Sequence, residues 1–121
     1  TGVSPIATWI RAARAGGTLE VRADNPVRDW TYAADLADAL ERIVAQPARP
    51  HPVHLTSGRL WHDHDLAQHL CRMAGGGEVE LVPATSRLKP PMAPTRLPAL
   101  ADMPWTDFDA ALSATFAAVD D

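Results

Sequence analysis

The sequence predicts a mixed α/β chain, helices and short strands interleaved along one domain, and three observations carry that reading. Apolar residues recur at helical spacing in four stretches and alternate with polar ones in shorter stretches between them. The breaks between stretches fall on glycine and proline. Eleven prolines among 121 residues, several between Pro90 and Pro98, fit an all-helical bundle poorly and predict one long proline-pinned connection. A chain of this length supports one modest core.

Each element has its own warrant. Ser4 can cap, and Pro5 suits the first position of, a helix running to Arg14 with Ile6, Trp9, Ile10 and Ala13 on one face. Gly16-Gly17 stops it, and Leu19 to Arg22 alternates like a short strand. Asp24-Asn25-Pro26 is a turn signal before the strand-like run from Arg28 to Tyr32, so these two strands are expected to form a hairpin. Asp35 to Val44 repeats Leu36, Leu40, Ile43 and Val44 at helical spacing until Pro47 and Pro50 rule out continuation.

Pro52 to Leu55 predicts a short strand. His62 to Ala74 predicts an amphipathic helix with Leu66, Leu70 and Met73 inward, stopped by Gly75-Gly76-Gly77. Glu78 to Val82 alternates again, Thr85 to Pro104 is the proline-rich connection, and Asp107 to Val119 predicts a last helix burying Phe108, Leu112 and Phe116.

A formal charge of −4 with interspersed signs offers no basic face for a phosphate backbone, which argues against nucleic acid and for a small-molecule partner. The single cysteine, Cys71, cannot form an internal disulfide and borders the apolar side of its helix, where an inert thiol is expected. No apolar stretch approaches the roughly 20 residues that cross a bilayer, and no signal peptide is visible, so a cytoplasmic protein is the expectation.

The most informative segment is Arg28-Asp29-Trp30-Thr31-Tyr32-Ala33-Ala34-Asp35-Leu36-Ala37. It resembles the R-D-[FWY]-x-[YH]-V-x-D-[LVH]-A segment of the extended short-chain dehydrogenase/reductase family, the NAD-dependent nucleotide-sugar epimerases and dehydratases. Thr56-Ser57-Gly58 followed by Asp65-Leu66-Ala67 resembles a second, shorter signature, and the order of elements is similar to the family's carboxy-terminal course. The resemblance implies that residues 1–121 are the substrate-binding carboxy-terminal portion of a Rossmann-type subunit, mixed α+β when taken alone. It also implies NAD or NADP in the complete enzyme, held by a Rossmann half that is missing here.

The G-x-x-G-x-x-G turn and the Tyr-x-x-x-Lys pair of that family do not occur. The triple glycine follows a predicted helix, and Tyr32, the only tyrosine, has no lysine four residues on. No residue of this chain is therefore expected to act in catalysis or to bind the cofactor. The family's G-D-G turn is replaced by Ala23-Asp24-Asn25-Pro26, and its late arginine-rich segment is reduced to Arg87, Lys89 and Arg96.

Arg28 is the leading candidate for substrate contact, because a guanidinium can hold a pair of diphosphate oxygens by bidentate, charge-assisted hydrogen bonds. The alternative is an arginine paired to Asp29 or Asp35 that fixes the strand-to-helix corner. Trp30 and Tyr32 share a side of the strand and serve stacking or core packing. The resemblance adds Arg96 as a second phosphate contact. Asp29 reads as orienting Arg28, and Asp35 as a carboxylate at the positive start of a helix.

His62, His64 and His69, with Asp63 and Asp65 between them, invite a metal, but 62, 65 and 69 share a face that His64 does not, so no metal site is expected. His62 and Asp65 read instead as a weak capping pair. Ser57, His54 and Asp63 lack the G-x-S-x-G elbow of a hydrolytic triad.

Two functions remain. One is the substrate-binding part of an NAD(P)-dependent nucleotide-sugar epimerase, dehydratase or reductase. The other is a free-standing, non-catalytic binding or interaction module derived from that fold. In the chain alone Leu36, Leu40, Ile43 and Val44 lack their Rossmann cover, so it is expected to be dimeric, aggregating or partly unfolded.

Overall fold

The computed structural model describes residues 5–47, 55, 57–84, 91, 93 and 96–120, and among these the architecture is mixed α and β, with four α-helices and two small two-stranded sheets. Helix α1 spans Pro5–Arg14 and leads through Gly16 and Gly17 into strand β1, Thr18–Arg22. Strand β2 is Val27–Asp29 and helix α2 is Ala33–Val44. Strand β3, Leu60–His62, passes directly into helix α3, Asp63–Ala74, which leads through Gly75–Gly77 into strand β4, Glu78–Val82. A 3-10 turn at Pro98–Leu100 precedes helix α4, Phe108–Ala118.

The expected hairpin does not form. β1 pairs in parallel with β4, from Thr18 opposite Glu78 to Arg22 opposite Val82, while β2 pairs antiparallel with β3, Arg28 opposite Trp61. Asn25 explains the divergence: at φ 47° it turns the chain out of the first sheet instead of folding β2 back along β1. β1 and β4 each follow a helix and a glycine stop, so two helix-glycine-strand units lie side by side and α1 packs on α3. Gly77 marks their closest approach. A Cβ there would lie 3.2 Å from the Gly17 carbonyl oxygen and 3.3 Å from the Ala13 Cα, and its φ of 93° disfavours any other residue.

The core fills the space between these units. Trp9, Ile10 and Ala13 of α1, Leu19 and Val21 of β1, and Leu66, Ala67 and Leu70 of α3 are buried together with Leu112 of α4. The helical residues among them recur at the three- and four-residue intervals that line one face. The Trp9 indole N–H is satisfied by the Glu20 carbonyl at 2.9 Å. The end of α4 is fastened to α1 by arginine: Arg14 donates to the Phe116 and Val119 carbonyls and stacks on the Phe116 ring, and Arg11 Nε donates to the Asp120 carbonyl at 2.7 Å.

Other expectations shift by position. β3 lies at Leu60–His62; of the strand expected at 52–55, residues 52–54 fall outside the described residues and Leu55 belongs to no strand. Ser4, Pro50, His54, Thr56, Arg87 and Lys89 also fall outside them, as does most of the 85–95 stretch of the proline-rich connection. The start of α3 is capped from the turn after β1: Asn25 Oδ1 accepts from the His64 N–H at 3.1 Å and the Pro26 carbonyl from the Asp63 N–H at 3.0 Å. His62 occupies the cap position without a side-chain cap bond. No helix among the described residues is long and apolar enough to cross a membrane.

Candidate functional site

Arg28, Asp29, Trp30, Tyr32 and Asp35 gather where β2 ends and α2 begins. Arg28 and Asp29 are neighbours on a strand and therefore face opposite ways, and each finds a different partner. Asp29 does not hold Arg28. Its Oδ1 accepts from the Thr31 hydroxyl at 2.8 Å and the Ser57 hydroxyl at 2.9 Å, and its Oδ2 accepts from the Gly58 N–H at 2.8 Å. The first sequence motif thus grips the second, and Ser57 is engaged as a donor to a structural carboxylate.

Arg28 pairs with neither Asp29 nor Asp35 but with Asp63, the first residue of α3, whose side chain is 1% exposed. Nε donates to both Asp63 oxygens at 2.9 Å. The guanidinium carbon lies 6.0 Å from the centre of the Trp30 ring, and the side chain is 31% exposed. Nε makes both contacts, and among the described residues the Nη1 and Nη2 fork has no acceptor.

Burial pushes the Asp63 carboxyl above its ordinary value, although Arg28 pulls it the other way. An acid whose pKa is raised by folding binds its proton more tightly when folded, so its contribution to stability grows as pH falls and is lost as pH rises through the raised value. Arg28, Arg22 and Asp24 are the charged groups acting on it. Asp63→Asn is expected to remove this part of the acid-side slope, measured as urea midpoints across the carboxylate range. Parallel slopes for variant and wild type would contradict the assignment.

Asp35 lies in the first turn of α2, 3% exposed, and its carboxylate is spent on the segment before α4. Its Oδ2 accepts from the Thr106 N–H at 2.9 Å and its Oδ1 from the Thr106 hydroxyl at 2.6 Å. The carbonyl of the same threonine accepts from Arg59 Nη1 at 2.7 Å. Thr106 is thereby held between α2 and the loop that Asp29 anchors.

Beside this clamp opens a cleft of about 430 Å³, within the size range of small-molecule sites. Trp30, Tyr32 and Arg59 line it from the strand-to-helix corner, and Phe108, Leu112 and Thr115 from α4. Trp30 is also packed against the core, 6.1 Å from the Trp9 ring, which is the core-packing role weighed for it. Phe108 is fixed by stacking on Trp61 of β3, with ring centres 4.5 Å apart. Arg96 is exposed and does not line the cleft.

Arg59, Asp63 and Thr106 are the residues that sequence reasoning missed. Arg59 carried a signal, since it directly follows the Ser57-Gly58 motif; Asp63 is weighed for a metal site and a hydrolytic triad, and Thr106 falls between the predicted connection and the last helix. Among the histidines, His62 Nδ1 lies 3.2 Å from the Asn25 carbonyl oxygen and His69 Nε2 lies 3.6 Å from Asp109. The described residues contain no group of three potential metal ligands. Burial pushes the Cys71 thiol up, with Arg72 opposing. Gly75–Gly77 lies between a helix end and a strand, the reverse of the strand-to-helix turn that cradles a dinucleotide pyrophosphate, so these residues do not fit a nicotinamide cofactor.

No family model matches this chain, and no curated protein matches it.

Proposed function

We propose that this chain is the substrate-binding, carboxy-terminal portion of an NAD(P)-dependent nucleotide-sugar epimerase, dehydratase or reductase of the extended short-chain dehydrogenase/reductase type, with Arg28 holding the diphosphate. The observation that carries the reading is the way Arg28 is held. Asp63 fixes the guanidinium through Nε alone, and among the described residues the Nη fork, the part with bidentate geometry for phosphate oxygens, is uncommitted beside Trp30. The clasp of Asp29 on Ser57 and Gly58, which joins the two motifs of the resemblance, supports it further. The cofactor, NAD or NADP, belongs to a Rossmann half, and so does the proton-transfer pair; this portion positions the sugar nucleotide.

Arg28→Ala in the complete protein is expected to weaken binding of a nucleoside diphosphate by about 1.5 to 3 kcal/mol, the range for hydrogen bonds to a charged group. Titration calorimetry measures it. Unchanged affinity with a normal melting temperature would reduce Arg28 to a structural partner of Asp63.

A second reading, a free-standing interaction module without catalysis, is favoured by the exposed apolar face of α2, where Leu40 is 49% and Val44 59% exposed. It foresees a stable partner on that face and no effect of Arg28→Ala on nucleotide affinity.

A further inference from the structure

The cleft between the strand-to-helix corner and α4 has a chemistry of its own, apart from Arg28, which does not line it. Its walls are mostly apolar: Trp30, Phe108 and Leu112 contribute ring and branched surface, and Ala111, Ala114 and Ala118 keep the α4 side shallow. One cation is set among them. Arg59 is partly buried, its guanidinium carbon is 6.0 Å from the Phe108 ring centre, and its Nη1 donates to the Thr106 carbonyl. It makes no ion pair among the described residues.

Two donors on these lining residues are left over. Trp30 Nε1 and Arg59 Nε are both closed off from water and have no acceptor among the described residues. Buried N–H groups are nearly always paired, and leaving one unpaired costs on the order of 1 to 3 kcal/mol. An apolar cleft whose walls include an unpaired cation and two orphaned donors is complementary to a flat apolar body that carries an anionic acceptor.

We infer that this cleft is a binding site for a small aromatic carboxylate, its ring system lodged between Trp30 and α4 and its carboxylate taken by Arg59. The site does not rest on the diphosphate reading, and Arg28→Ala leaves it intact.

The test uses 2-naphthoate as probe and 2-naphthamide as its uncharged counterpart, titrated by calorimetry into the protein and its variants. Naphthoate is expected to bind roughly tenfold more tightly than the amide, the worth of one charge-assisted bond. Arg59→Gln is expected to abolish the difference while the amide still binds. Ala114→Trp, at an exposed position on the cleft wall, removes no contact of the clamp and is expected to block both compounds without changing the thermal melt. Leu40→Ser, on the other apolar surface, is expected to leave the tenfold preference for naphthoate in place. Equal affinities in the wild type, no binding of either compound, a preference for naphthoate that survives Arg59→Gln, or binding that survives Ala114→Trp would each overturn the inference.

Discussion

Asp35→Ala is expected to lower the stability of the fold by about 3 to 5 kcal/mol. The carboxylate is almost wholly buried and accepts from the Thr106 N–H and the Thr106 hydroxyl. Hydrogen bonds to a charged group contribute about 1.5 to 3 kcal/mol each, and truncation strands two donors in a space that alanine does not fill. The cost of burying a carboxylate, which the variant relieves, offsets part of this loss. Asp35→Asn keeps one acceptor and should lose less. Urea denaturation followed by tryptophan fluorescence gives both values. A loss below about 0.5 kcal/mol for the alanine variant, the level of an ordinary surface substitution, would show that the clamp contributes little.

The second large effect concerns α2. Its buried residues are Asp35 and Ala39, it packs on the 3-10 turn at Pro98–Leu100, and Arg42 reaches Asp102 at 3.2 Å. Leu40 and Val44 stand largely in water, with Leu36 and Ile43 half-buried beside them. Full burial of such side chains contributes roughly 1.5 to 3 kcal/mol each, so covering Leu40 and Val44 is worth several kcal/mol to whatever partner supplies the cover. The chain by itself, 13.0 kDa, is expected to associate with itself and to bind no NADH. The double variant Leu40→Ser with Val44→Ser is expected to shift it to monomer with little change in melting temperature. Light scattering and NADH fluorescence on the same samples decide the matter. A wild-type monomer would mean that the face needs no cover, and tight NADH binding would require a cofactor site formed by other residues.

The sequence carried the helices well and the pairings poorly, for a physical reason that particular residues illustrate. Ile10 and Ala13, or Leu66 and Leu70, announce their helices because the three- and four-residue period is a property of a single segment. Leu19 and Val21 announce a buried strand face in the same way. Which strand lies beside them is decided elsewhere, by Asn25 turning the chain away and by α3 delivering β4 to the vacant edge. The site divides along the same line. Arg28 and Trp30 belong to a contiguous motif and were visible. Asp63 lies 35 residues from Arg28, and Thr106 lies 71 from Asp35, and nothing local marks either as the partner.

Thr106 has one further consequence, which concerns motion. Its N–H and hydroxyl are committed to α2 and its carbonyl to the loop bearing Arg59, so it cannot leave one neighbour without straining its hold on the other. Local opening of the chain just ahead of α4 therefore requires α2 and the Ser57–Arg59 loop to loosen in the same event. Segments joined in this way exchange their amide hydrogens as one cooperative unit. The cleft wall and α2 are therefore expected to open together, which amide hydrogen exchange would register as matched protection in the two segments.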